Sequence, residues 1–174
     1  MNRCVNIELF KYLQPISRLS YDKKNKIPLC QYKNEFYAFE EIVKLKHSKE
    51  LPNAVDMLYI NDEKKEVWFV EFKNRKKDNI DKFDIKRKIL DSLISFYELF
   101  DEILCCKYKK KYFVVYKCEN DDIHLKLFNE FEDREIYFDL KEIENKFLEE
   151  VITDCCNNFL KEFEKRFNIE WMKG

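Results

Sequence analysis

Three residues on two neighbouring apolar runs carry the chemistry open to this chain. In the run 54–60, AVDMLYI, Asp56 is the only charged residue, and in 67–73, VWFVEFK, Glu71 and Lys73 close a run that is otherwise apolar. Side chains alternate along a strand, so Val67, Phe69, Glu71 and Lys73 share one face, with the last two side by side at its end. A charge inside an apolar strand is costly unless it is paired or binds a metal. Two carboxylates on adjacent strands suit a hard divalent cation such as Mg²⁺, which prefers carboxylate and water oxygens. Such an ion makes bound water more acidic and neutralises charge that builds on a phosphoryl group. The Lys73 ammonium, one strand repeat from Glu71, can orient the water or stabilise the developing charge. Ordinary ion bridges from Lys73 to Glu71 or Asp56 are the plainer alternative, although isolated buried pairs stabilise little.

The elements around these residues follow from their patterning. The runs 54–60 and 67–73, joined by the polar NDEKKE, form a hairpin. Both are apolar on both faces, which makes them central strands covered on each side. Apolar residues at helical period predict a helix over 35–46 and a long amphipathic one over 80–104. KYFVVYK at 111–117 is a further strand, with more strands expected at 122–128 and 135–138. A helix is expected near 4–14, an irregular stretch around YDKKNKIP, and a C-terminal helix over 140–167. The sum is an α/β fold, a short mixed sheet flanked by helices on both faces.

Length and composition bound the rest. At 174 residues and 45% hydrophobic, residues 1–174 make one domain. The single Gly is the last residue, which removes every Gly-rich phosphate loop. No run approaches the ~20 apolar residues of a membrane span, and MNRCVNIELFKYLQ lacks a signal-peptide pattern. A cytoplasmic protein with no membrane partner is expected, its seven cysteines being buried free thiols. From 64 to 117 there are 15 basic and 9 acidic residues, and from 118 to 150 there are 4 basic and 12 acidic. This asymmetry suits a basic face turned to a polyanion.

The arrangement Asp56…Glu71-Phe72-Lys73, D-x14-E-x-K across a hairpin, resembles the PD-(D/E)XK nuclease superfamily over residues 35–117. Val55 stands where that family's Pro is usual. The resemblance implies a restriction-endonuclease-like core and an endonuclease that hydrolyses DNA phosphodiester bonds by activated water, with Mg²⁺ or a substituting Mn²⁺. Asp56, Glu71 and the backbone carbonyl of Phe72 would hold the metal and Lys73 would assist the water. Many members add a Glu from the first helix, where Glu40 and Glu41 stand. At 100° per residue Glu40 lies about 60° from the apolar stripe and Glu41 about 160°, so Glu40 is the expected extra ligand. Members that cut both strands often pair their sites, which makes a homodimer an expectation. The basic run after the motif supplies Lys76, Lys77, Lys82 and Lys86 as candidate phosphate contacts, Lys86 falling on the Leu90–Leu93–Tyr97 stripe. The competing expectation is a nucleic-acid-binding or protein-interaction module without catalysis. His47 and His124 have no partner spacing and receive no role.

Overall fold

The computed structural model describes residues 7–47, 52–100, 105–118 and 136–167, with side chains between 9 and 165. A 3₁₀ turn at Ile7–Tyr12 leads into strand β1, Leu13–Pro15, and a short helix α1, Ile16–Leu19. A two-residue hairpin follows, β2 (Tyr21–Asp22) with β3 (Ile27–Pro28), capped by Asp22 accepting from the Lys24 and Asn25 amides. Next come β4 (Glu35–Ala38), α2 (Phe39–Lys46), the hairpin of β5 (Met57–Asn61) and β6 (Glu66–Lys73), and α3 (Lys82–Leu99). Strand β7 (Lys109–Tyr116), α4 (Lys141–Phe147), β8 (Glu150–Cys155) and α5 (Cys156–Phe167) complete the described chain.

One sheet carries the order β1-β4-β5-β6-β7-β8. Its first four strands pair antiparallel, while β7 is parallel to β6 and β8 parallel to β7. Parallel neighbours need a crossover, which α3 supplies between β6 and β7. Side-chain alternation along β6 splits the interior in two. Val67 and Phe69 pack with Phe39 and Val43 of α2 and with Ile85, Ile89 and Phe96 of α3. Trp68, Val70 and Phe72 pack on the other face with Ile16, Phe159, Leu160 and Phe163. The fold is therefore α/β, a mixed sheet with helices on both faces. No helix of the described residues is long and apolar enough to cross a membrane.

Several boundaries differ from expectation, each for a physical reason. The helix expected near 4–14 is only a 3₁₀ turn, because 13–15 pairs with β4 as an edge strand. Residues 35–38 belong to β4 rather than to a helix, since they pair on both sides, and α2 begins at Phe39. Ala54 and Val55 are buried yet precede β5. The long helix over 140–167 is interrupted by β8, whose β-branched Val151, Ile152 and Thr153 extend the sheet. Of the strand expected at 135–138, residues 136–138 are not strand, and 122–128 lies outside the described residues. The cysteines also depart from the free-thiol expectation. Cys30 and Cys156 form a disulfide, their Cα atoms 6.1 Å apart, whereas Cys105, Cys106, Cys118 and Cys155 form none.

The face opposite α3 is held by edge-on rings, Phe159 meeting Phe113 at 4.8 Å and Phe72 at 5.7 Å between centroids. Phe159→Ala is expected to lower the unfolding free energy by about 3–5 kcal/mol, read from urea denaturation. A change near zero would show that α5 does not pack on the sheet as described.

Candidate active site

Asp56 is placed by three elements before its own chemistry begins. Its backbone carbonyl accepts from the Phe39 amide at 3.0 Å, where α2 starts. The residues ahead of it are fastened to α3. The Val55 amide donates to Ser92 Oγ at 2.9 Å, the Asn53 amide to Asp91 Oδ2 at 2.9 Å, and the Asn53 side-chain amide to Asp84 Oδ1 at 3.0 Å. The Asp56 carboxylate then reaches β6, accepting from the Phe72 amide through Oδ2 at 2.8 Å. A carboxylate from the residue just ahead of β5 thus sits on the backbone link between Glu71 and Lys73.

Glu71 is 1% exposed beneath α3, and a lone charge there would be strongly unfavourable. Two ammonium groups compensate it. Lys88, from α3, donates to Oε1 at 2.7 Å and Oε2 at 2.9 Å. Lys73 lies 2.9 Å from Oε1 and also pairs with Asp84 Oδ2 at 2.7 Å. The result is a chain of charges, Asp84–Lys73–Glu71–Lys88, with Asp56 beside it. Tyr112, on the neighbouring strand β7 and fully buried, has no hydrogen-bond partner for its hydroxyl in the described structure.

The electrostatics follow from burial and from these neighbours. Asp56 keeps one side open to a cleft but is otherwise enclosed by protein. Burial first, and the Glu71 charge second, push its carboxyl well above the ordinary range; Lys88 and the Phe72 amide only partly oppose them. Burial disfavours the Lys73 ammonium, but Glu71 and Asp84 outweigh it and its pKa rises. Lys88 behaves likewise, the charges of Glu71 and Asp56 overcoming desolvation. Asp84 is lowered, because Lys73 outweighs the effect of its partial burial. Desolvation, with Glu71 and Asp56 nearby, drives the Tyr112 phenol up.

The cleft has a volume of about 470 Å³. Asp56, Phe72, Lys73 and Asp84 line one side, and Tyr21, Asp22, Asn74, Arg75, Ile80 and Asp81 complete much of the rest. Asp56 and Lys73 therefore face a shared opening at the end of β6, with Glu71 buried behind it under α3.

The remaining sequence candidates are distributed around this centre. Glu40 lies on α2, half exposed and paired with Lys44 at 2.8 Å. No direct contact joins it to Asp56 or Glu71, although its charge acts on Asp56 and Lys88. Glu41 points elsewhere, accepting from Gln14 at 2.6 Å. Lys82 and Lys86 meet Asp139 at 2.6 and 3.9 Å, Lys77 lies over the Tyr137 ring at 4.7 Å, and Lys76 is exposed just before a 3₁₀ turn at Lys77–Asn79. Lys88 and Asp84 were missed from sequence. The stripe through Leu90 is not the buried one, since Leu90 is 42% exposed. The buried face comprises Ile85, Ile89, Ser92, Leu93, Ser95 and Phe96, and Lys88 at three and four residues from Ile85 and Ser92 belongs to it. Its two serines hid it from a search for apolar period.

No protein-family model, curated protein or solved structure matches this chain. Among the described residues no three Asp, Glu, His or Cys side chains converge to hold a metal ion by themselves. Two carboxylates, a main-chain oxygen and water would still make a donor set for Mg²⁺, which keeps several waters and takes few protein ligands. The donors here are oxygens, and Asp56 held beside Glu71 is anionic ground that a hard cation would relieve. The residues fit such an ion.

The raised Asp56 carboxyl makes stability depend on pH. In the unfolded chain it titrates near 3.8, and the folded value is higher. Between the two values the folded chain binds the extra proton, so stability falls as pH rises through that window and stays reduced above it. Asp56→Asn keeps an acceptor for the Phe72 amide and removes the charge. With chelator present, the variant is expected to melt at a higher temperature than the parent at neutral pH, and the gain should shrink as pH is lowered toward the unfolded value. A lower melting temperature at neutral pH would contradict this account.

Proposed function

We propose that the protein is a divalent-cation-dependent endonuclease with a restriction-endonuclease-like core, cleaving DNA phosphodiester bonds by water attack. The observation that carries this reading is the Asp56 carboxylate bonded to the Phe72 amide at 2.8 Å, with Glu71 and Lys73 on either side of that residue and a cleft in front. The order of elements supports it: a helix, an antiparallel hairpin, a helix and a parallel strand, with the charged residues at the hairpin's open end.

Asp56, Glu71 and the Phe72 carbonyl would hold Mg²⁺, or Mn²⁺ in its place, with Glu40 as a more distant acceptor for a bound water. When bound, the ion would acidify water and offset charge on the phosphoryl oxygens. Lys73 is kept protonated by Glu71 and Asp84, so it acts as a fixed donor at the cleft rather than as a base. It orients the attacking water or meets the charge that develops on the phosphate. Lys76, Lys77, Lys82 and Lys86 are the candidate contacts to the strand's other phosphates, Lys82 and Lys86 only on leaving Asp139. For cleavage of both strands of a duplex, two copies would act together as a homodimer.

A second reading has one observation in its favour. Both Glu71 oxygens are already paired with ammonium groups, as expected of a module that binds nucleic acid without cutting it. Incubation with supercoiled, linear and four-way-junction DNA, and with RNA, separates the two. Mg²⁺-dependent cleavage, abolished by chelator and reduced about 10²–10³-fold by Lys73→Ala, is expected. Binding without cleavage of any substrate would favour the module, and equal cleavage by Lys73→Ala would place the activity elsewhere.

A further inference from the structure

We propose that Lys88 is a built-in counter-cation for the two-carboxylate centre, and that a divalent ion can use Glu71 only by displacing it. The inference rests on the nuclease reading above. Its basis is geometric. Glu71 Oε1 accepts from both Lys73 and Lys88, and Oε2 accepts from Lys88 at 2.9 Å. A carboxylate oxygen offers about two lone pairs, so Oε1 is filled and Oε2 is the one left for a metal. An ion bound there at roughly 2.1 Å would stand within a few Å of the Lys88 ammonium. Two cations that close in a site with little water repel strongly. Lys88 therefore has to leave Oε2 before Glu71 can become a ligand.

The lysine is built to make that move alone. Its neighbours Ile85 and Ile89 are fully buried and hold α3 on the sheet, while its own side chain keeps 12% exposure. Four flexible methylenes let the ammonium swing without shifting the helix. The charge balance gives the contact its purpose. Asp56, Glu71 and Asp84 set three carboxylates against the two ammonium groups of Lys73 and Lys88. Without Lys88, Glu71 and Asp56 would repel each other across the hairpin. The lysine thus holds the site together at low metal concentration and sets how much metal is needed to open it.

Mn²⁺ binding to the full chain, followed by titration calorimetry, tests this apart from catalysis. Lys88→Met is expected to bind Mn²⁺ about ten-fold more tightly than the parent. Lys88→Arg, which keeps the charge, and Lys86→Met, which removes an equal charge from a residue paired with Asp139, are expected to stay near the parent. In chelator, Lys88→Met should melt below the parent, and saturating Mn²⁺ should close the gap. If Lys88→Met does not fold, Lys88→Gln carries the same comparison. Affinities within about two-fold of each other would overturn the displacement. The nuclease reading fails separately if the parent and Lys88→Met both show no Mn²⁺ binding that Glu71→Gln abolishes.

Discussion

The burial of the Glu71 carboxylate organises the rest of this structure. It sits on β6 between β5 and β7, under α3, at 1% exposure, where a charge is tolerated only with close partners of opposite sign. That requirement fixes which way α3 faces. Lys88 must point inward, and with it Ser92, whose hydroxyl accepts from Val55 and so sets the residue ahead of Asp56. Lys73 must lie back along β6 rather than extend into solvent, and Asp84 on α3 receives its other side. One helix therefore compensates the charge of one strand and fastens the approach to the other. The same contacts that make Glu71 bearable bring Asp56 to it.

The arrangement is costly for folding, and that cost is informative. Asp56 is enclosed next to a like charge, which raises its pKa instead of stabilising it. A site selected for stability would place an amide or an apolar residue there. Tyr112, with a buried hydroxyl left without a partner, is another polar group in the same field. Perturbed carboxylates in a cleft mark functional sites more often than structural ones. The network of Asp84, Lys73, Glu71 and Lys88 could alone be read as a structural ion chain. Asp56 has no such reading, because it pairs with no cation directly and gains only one amide.

How much of this could be read from the chain depends on which signal each feature left. The hairpin was legible because Asp56, Glu71 and Lys73 interrupt apolar runs at alternating positions, and the polar NDEKKE could only be a turn. Helical angles favour Glu40 over Glu41 as the inward residue, but in the fold Glu40 is half exposed and pairs with Lys44. The ends of elements were not legible. Residues 35–38 have an apolar pattern that serves a helix and a strand equally, and pairing with β1 and β5 decided it. The segment 140–167 looked continuously helical because its strand β8 is only six residues long and carries acidic residues at 150 and 154. Lys88 was hidden for a different reason. The inner face of α3 mixes Ile85, Ile89, Leu93 and Phe96 with Ser92 and Ser95, while Leu90 and Ile94 lie exposed, so an apolar period drawn through Leu90 passed Lys88 by.

The charge segregation along the sequence changes meaning once the chain is folded. The basic stretch over 64–117 and the acidic one over 118–150 suggested a basic face free to meet a polyanion. Parts of the two instead meet each other. Asp139 takes Lys82 and Lys86, Glu149 takes Lys109, and Glu150 shares Lys111 with Glu66. Neutralised lysines contribute little to phosphate affinity, because such affinity comes from cations that can replace condensed counterions. What faces the cleft is mixed: Lys73 and Arg75 against Asp22, Asp56, Asp81 and Asp84. An opening with that balance repels a phosphate chain on its own. On the proposed reading, a divalent ion between Asp56 and Glu71 would cancel that negative excess, so the metal would serve recognition of the polyanion as well as chemistry upon it.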